Sequence, residues 1–190
     1  MKKKYLYIII LTVFFLACAI TSVFLFTASC KEEEQVPEVV ETWKDNLNDI
    51  VSIRTEMETK DSGVLVYKYV KNVEYVSGNN ANVTTETSTL NVNFELDTTY
   101  DKYEKQIKKE NSLAINLDQK LYVSYNDSDT LFMGTVNNEN INKVLNTEGL
   151  SIVDVATIMM YVNNNRLEKV VCTYKTTGQL DVVITTVYGY

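Results

Sequence analysis

The sequence predicts an α+β domain: an antiparallel, meandering, curved β-sheet with an N-terminal helix and a helical insert packed on one face. Three observations lead there. From about residue 51 apolar side chains recur at every second position. Residues 37–50 and 137–162 instead carry them at three- to four-residue spacing. Two final β-patterned runs flank Thr176-Thr177-Gly178-Gln179, a hairpin signal.

Pro37 suits the first turn of a helix, and Glu38 and Glu41 suit the positive end of its dipole. Val36, Val40, Trp43, Leu47, Ile50 and Val51 would form one apolar face, so a helix is expected over 37–50 with Trp43, the sole Trp, as its packing anchor. Val51, Ile53, Thr55 and Met57 then alternate, and a Val- and Tyr-rich run from Val64 to Val76 lies between Gly63 and Gly78. Thr89–Leu96 places Leu90, Val92, Phe94 and Leu96 on one side of a strand. Leu113, Ile115 and Leu117, then Leu121, Val123 and Tyr125, then Leu131–Val136, continue the sheet. The insert comprises helices over 137–145 and 150–162, broken at Gly149, with Ser151 as N-cap and Asn163-Asn164-Asn165 ending it. Strands Leu167–Lys175 and Leu180–Tyr188 close the domain. Short connections between consecutive strands imply a meander.

The N-terminus reads differently. Lys2, Lys3 and Lys4 precede Tyr5–Ser29, 25 residues without a charge. About 20 apolar residues cross a bilayer core, and the lysines would stay on the cytoplasmic side. The segment ends Phe26-Thr27-Ala28-Ser29-Cys30 and resembles the lipobox of bacterial lipoproteins. Ala28, Ser29 and Cys30 match that pattern, whereas Thr27 stands where Leu or Val is usual. The resemblance implies lipidation of Cys30, which becomes the mature N-terminus, followed by the polar tether Lys31-Glu32-Glu33-Glu34-Gln35. An uncleaved spanning anchor, or cleavage after Ala19 or Ser29 by general signal peptidase, are the other readings. Cys18 fits lipidation less well, because more apolar chain follows it. The organisation is therefore 1–29 signal peptide or membrane anchor, 30–36 lipidated Cys and tether, and 37–190 a single exported domain. The expected location is the cell membrane, lipid-anchored and facing the extracytoplasmic side, with membrane lipid as a partner.

Composition narrows function. From Lys31 onward the chain carries 15 Lys and Arg against 25 Asp and Glu, a surface that repels phosphate backbones, so nucleic acid is not an expected partner. Lys102, Lys105, Lys108 and Lys109 alternate with Asp101, Glu104 and Glu110 as a mixed-charge surface. There is no His, which removes the commonest general base and metal ligand. No phosphate loop, zinc spacing or nucleophile–base pair is visible, so no catalytic residue, metal or cofactor is assigned. Asn126-Asp127-Ser128-Asp129 offers oxygen ligands but reads as a turn. Cys172, between Val171 and Thr173, reads as a small buried apolar side chain. The Met159-Met160 pair reads as core on an apolar helix face. Tyr67, Tyr69, Tyr75, Tyr100, Tyr103, Tyr122, Tyr125, Tyr174 and Tyr188 fall on or beside strands, as good strand formers or as a glycan- or peptide-binding surface.

The order of elements, in a lipoprotein context, is similar to the half-barrel of LolA- and LppX-like lipoprotein carriers. That resemblance implies a curved sheet wrapped around helices and an apolar ligand held between them. The expected function is a non-enzymatic binding or carrier module for an apolar small molecule. A surface module contacting proteins or glycans is the alternative, and an unrecognised hydrolase a third reading.

Overall fold

The computed structural model describes residues 43–109, 112–113, 115–128 and 130–190. The leader, Cys18, Cys30, the tether and residues 37–42 of the expected helix lie outside the described residues.

Nine strands make one antiparallel sheet: β1 (Ser52–Asp61), β2 (Val64–Ser77), β3 (Asn80–Leu90), β4 (Leu96–Gln106), β5 (Ser124–Asp127), β6 (Leu131–Asn137), β7 (Ile152–Asn163), β8 (Arg166–Thr176) and β9 (Asp181–Gly189). Their spatial order is β4-β3-β2-β1-β9-β8-β7-β6-β5. Two meanders, one from each half of the chain, are thus sewn together by β1 and β9. Their register runs from Ser52↔Gly189 to Lys60↔Asp181. Among the described residues β4 and β5 are edges, and the chain between them, 107–123, passes from one edge of the sheet to the other.

Register sorts the side chains into two faces. One cross-sheet row reads Tyr69, Met57, Ile184, Cys172, Ile158, Gly134, from β2 to β6. The next reads Lys71, Thr55, Thr186, Val170, Met160, Phe132. This face is covered. Trp43, fully buried, and Leu47 and Ile50 beside it pack on the core with Val73, Val83 and Tyr188. The crossing segment adds Ile115, and a one-turn helix, Ile141–Val144, adds both its end residues. The opposite face is solvated. There Lys68 meets Glu56 at 2.6 Å and Glu58 at 3.6 Å, Arg54 meets Glu56 at 3.3 Å and Lys60 meets Glu58 at 3.1 Å. The hydrogen bond from Lys68 is the main reason the Glu56 carboxyl titrates below its usual range. Its small stabilising contribution is present above the ordinary carboxylate range and is lost as pH falls.

The expected α+β class is overturned. The described chain is nearly all antiparallel sheet, without a helix of seven residues or more. The second helix of the expected insert, 150–162, is strand β7. Register shifts between Val153 and Thr157, and Asp154 sits at φ +58°. That bulge sets the buried Ile152 and Ala156 four positions apart, after which Ile158, Met160 and Val162 alternate inward. A bulge inside a strand therefore imitated helical spacing. Asn163-Asn164-Asn165 does not end a helix: Asn164 and Asn165, at φ +48° and +57°, form the turn between β7 and β8. The first helix of the insert shrinks to Ile141–Val144. Of the N-terminal helix, the described part is Trp43–Lys44 continuing as a 3₁₀ turn, Asp45–Asp49.

Two strands were not expected. β3 is rich in Thr, and β4 is a charged edge strand exposed along its whole length, so neither displays an apolar alternation. The expected strand Thr89–Leu96 straddles the turn between them. Asn91 Oδ1 accepts from the Asn93 and Glu95 amides at 2.8 and 3.0 Å, leaving Val92 and Phe94 at 94% and 83% exposure. Leu113–Leu117 is irregular chain rather than strand, with Ile115 buried. The closing hairpin forms as expected, with Gln179 N–H donating to Thr176 O at 2.8 Å.

Gly134 admits no side chain. A Cβ there would lie 2.5 and 2.8 Å from ring carbons of Tyr122, which lies edge-on to Phe132 at 5.6 Å and donates its hydroxyl to Asn116 O at 2.8 Å. Gly134→Ala is expected to destabilise the domain by about 1–3 kcal/mol, an overpacking cost. Urea unfolding checks this, and adding Tyr122→Ala should make the combined loss smaller than the sum.

Candidate functional site: an apolar cavity over the central strands

Where the covered face crosses the β1–β9 seam it is not filled. A cavity of about 450 Å³ lies there. Its floor is the sheet: Met57 of β1, Ile184 of β9, and Val170, Cys172 and Tyr174 of β8. Strand alternation aims every second residue of these strands at one face, and the two registers align them. Thr55 and Thr186 supply the floor's polar step; their hydroxyls share a 3.2 Å hydrogen bond. Ile115 of the crossing segment and residues 145–150 form the opposing wall.

That wall is held by asparagine side chains. Asn142 Nδ2 donates to Leu150 O at 2.8 Å, while its Oδ1 accepts from the Leu150 amide at 2.9 Å and the Thr147 hydroxyl at 3.3 Å. Asn138 Oδ1 accepts from the Ile152 amide at 2.7 Å. The Asn116 amide donates to Val144 O at 2.7 Å and ties the crossing segment to the one-turn helix. The 145–150 loop thus has a fixed course over the floor.

Two titratable groups on the cavity floor, Cys172 and Tyr174, are kept neutral. Burial pushes the Cys172 thiol up to about 12. Burial, then the neighbouring Cys172, brings the Tyr174 hydroxyl up to about 12. A thiol with so little thiolate is a poor nucleophile and a poor metal ligand. Among the described residues no group of three or more Cys, Asp and Glu stands close enough to hold a metal ion. The carboxylate with a resolved perturbation, Glu56, is lowered rather than raised and lies on the solvated face. What the arrangement can do is enclose apolar surface.

The residues singled out from sequence scatter. Cys30 lies outside the described residues. Cys172 is free and 2% exposed, and it lines the cavity. Met159 and Met160 do not share a face: Met160 is core, and Met159 faces the other side of β7. Asn126 and Asp127 end β5, and the Ser128 backbone amide donates to Leu131 O at 3.0 Å, while residue 129 lies outside the described residues. Lys102 and Lys105 lie on edge strand β4, while Lys109 donates to Asn48 O at 2.9 Å and stands 5.1 Å over the Tyr75 ring. The tyrosines divide: Tyr188 is buried, Tyr174 lines the cavity, and Tyr100, Tyr103 and Tyr125 are exposed. The cavity residues Met57, Ile115, Ile184 and Thr186, and the clamp Asn142, were not singled out. Alternation marks the floor as inward-facing, but no sequence signal separates a filled core from an unfilled one.

The site defines a class: an antiparallel β-sheet domain with a half-open apolar pocket on its covered face. No family model and no curated protein matches the chain. Among solved structures it is similar to LprF from Mycobacterium bovis, with 12% identity and a TM-score of 0.40, over 82% of this chain and 95% of that one. It is also similar to a redesigned β-barrel, mFAP1, bound to DFHBI, with 8% identity and a TM-score of 0.25, over 76% of this chain and 96% of that one. Likeness at those scores transfers neither fold nor ligand. Among the described residues no helix is long and apolar enough to cross a membrane.

Peptide-resolved iodoacetamide labelling at pH 8 is expected to modify Cys172 roughly a thousandfold more slowly in the native domain than in urea, from its smaller thiolate fraction and its burial. Equal rates in the two states would contradict the buried, protonated thiol.

Proposed function

We propose that this chain is a membrane-anchored, extracytoplasmic lipoprotein whose domain binds or carries an apolar small molecule without catalysing a reaction. The observation that supports the reading is the cavity itself. At about 450 Å³, with Met57, Ile115, Leu150, Val170 and Ile184 around it, it has the size and lining of a small-molecule site. Its buried groups are protonated and its charges are few, which suits sequestration rather than acid–base chemistry. Cys30 would carry the lipid anchor, and residues 31–35 would hold the domain clear of the bilayer. In this reading the half-barrel carriers are an architectural parallel with one substitution: an irregular crossing chain and a single helical turn cover the sheet where those carriers use helices.

A surface-interaction reading has one observation in its favour, the hairpin tip that displays Val92 and Phe94 to solvent.

Two experiments test the proposal. Intact-mass spectrometry of membrane-extracted protein is expected to find a chain beginning at Cys30 with an added diacylglyceryl group, and Cys30→Ser is expected to lose that mass. A full-length chain with Lys2 to Ser29 intact and no acyl group would rule out the lipid anchor. For the cavity, Ile184→Trp should fill the floor and lower the affinity for an environment-sensitive apolar dye by about tenfold or more, the loss of roughly 1.4 kcal/mol of contact. Unchanged dye binding in a variant that still melts cooperatively would place the dye elsewhere.

A further inference from the structure

Building on the cavity-binding reading above, we infer that the ligand is a single-chain amphiphile with an anionic head, and that Lys71 holds the head beside the Thr55–Thr186 hydroxyl pair.

Three in-register residues on adjacent strands carry the inference. Lys71 of β2 stands opposite Thr55 of β1, which stands opposite Thr186 of β9. Directly opposed side chains in an antiparallel pair have Cβ atoms about 4.5–5.5 Å apart and share a face. Lys71 therefore lies one strand beyond the cavity floor, on the covered side. Lys71 does not itself line the cavity, but a four-carbon stem is long enough to bring its ammonium to the neighbouring strand's Thr55, which does. Beyond Thr186 the row turns apolar, with Val170 and then Met160.

Lys71 is partly buried, yet among the described residues its ammonium has neither an ion pair nor a hydrogen bond. On the solvated face Lys60, Lys68 and Lys175 each meet a carboxylate, while Lys169 stands over the Tyr161 ring at 5.6 Å. An ammonium without a partner beside that hydroxyl pair is open to an anionic one. The hydroxyl pair beside it engages one of its two protons internally, leaving the other to donate. An ammonium with a free hydroxyl at the edge of an apolar hollow matches a carboxylate or phosphate head joined to an alkyl chain. The volume, near the lower end of ligand pockets, suits one chain rather than two.

Two carboxylates bear on the same position. Asp101 of β4 lies in the same row, two strands from Lys71, without an ion pair to it. Glu148 is exposed on the loop at the cavity's wall and opposes an anion there. Their removal therefore carries a sign opposite to that of Lys71.

The test uses the full chain held in an amphipathic polymer without free detergent, with empty polymer as the partitioning control. Calorimetry compares dodecanoate, dodecyl phosphate, dodecanol and dodecyltrimethylammonium. The two anions are expected to bind about tenfold more tightly than the alcohol or the cation, the worth of one charge-assisted hydrogen bond. Whichever anion binds more tightly identifies the head as carboxylate or phosphate. Lys71→Gln is expected to erase the anion preference while leaving dodecanol within about twofold, and Lys71→Arg to restore it. Glu148→Gln is expected to strengthen only the anions. Equal binding of alcohol and anions, or an anion preference that survives Lys71→Gln in a variant with an unchanged melting temperature, overturns the head-group assignment while leaving the cavity reading intact. If none of the four probes binds above the empty-polymer control, the cavity reading itself fails.

Discussion

The pairing of β1 with β9 is the contact on which the rest depends. Each half of the chain makes a meander from local hairpins, and either alone would expose a row of unpaired backbone groups at its inner edge. Joining Ser52–Lys60 to Asp181–Gly189 removes both edges and merges two small sheets into one broad face. Only that face is wide enough for Trp43, Ile115 and the Ile141–Val144 turn to pack on it together. The cavity sits on this same join, with Thr55 and Met57 on one side and Ile184 and Thr186 on the other. Cavity and seam are one place, so a change that loosens the pairing deforms the cavity floor directly.

The structure separates its two kinds of surface by parity alone. Arg54, Glu56 and Glu58 interleave with Ile53, Thr55 and Met57 along a single strand. The even-numbered residues build an ion-pair lattice in water, and the odd-numbered ones build the floor. A one-residue slip would exchange them, placing carboxylates under the covering segment. The turn at Ser62 and Gly63, both at positive φ, fixes the phase of β1 against β2. The two-asparagine turn does the same for β7 against β8.

How much of this could be read from the residues depends on what each strand displays. β1, β2, β6, β8 and β9 alternate or carry Val and Tyr runs, and their positions were legible. So were the closing hairpin, the burial of Trp43 and the apolar character of Cys172. β7 was misread because a bulge at Asp154 changes the spacing of its inward residues from two to four, which is the helical signature. β3 and β4 were missed because threonines and charges occupy them: a strand at an exposed edge needs backbone partners, not an apolar face. The cavity was legible least of all. Whether a patch of inward-facing Met, Val and Ile is filled depends on the course of residues 107–123, whose alternation at Leu113, Ile115 and Leu117 imitates a strand, and of 145–150, which carry no period.

The seam joins residues about 130 positions apart in sequence, from the first strand to the last. Contacts so distant are slow to form, because the intervening chain must be ordered or looped out first. A chain made N-terminus first would therefore form its local hairpins early and gain its hollow only once Asp181–Gly189 is available to pair with β1. The last strand to emerge is the one that completes the floor.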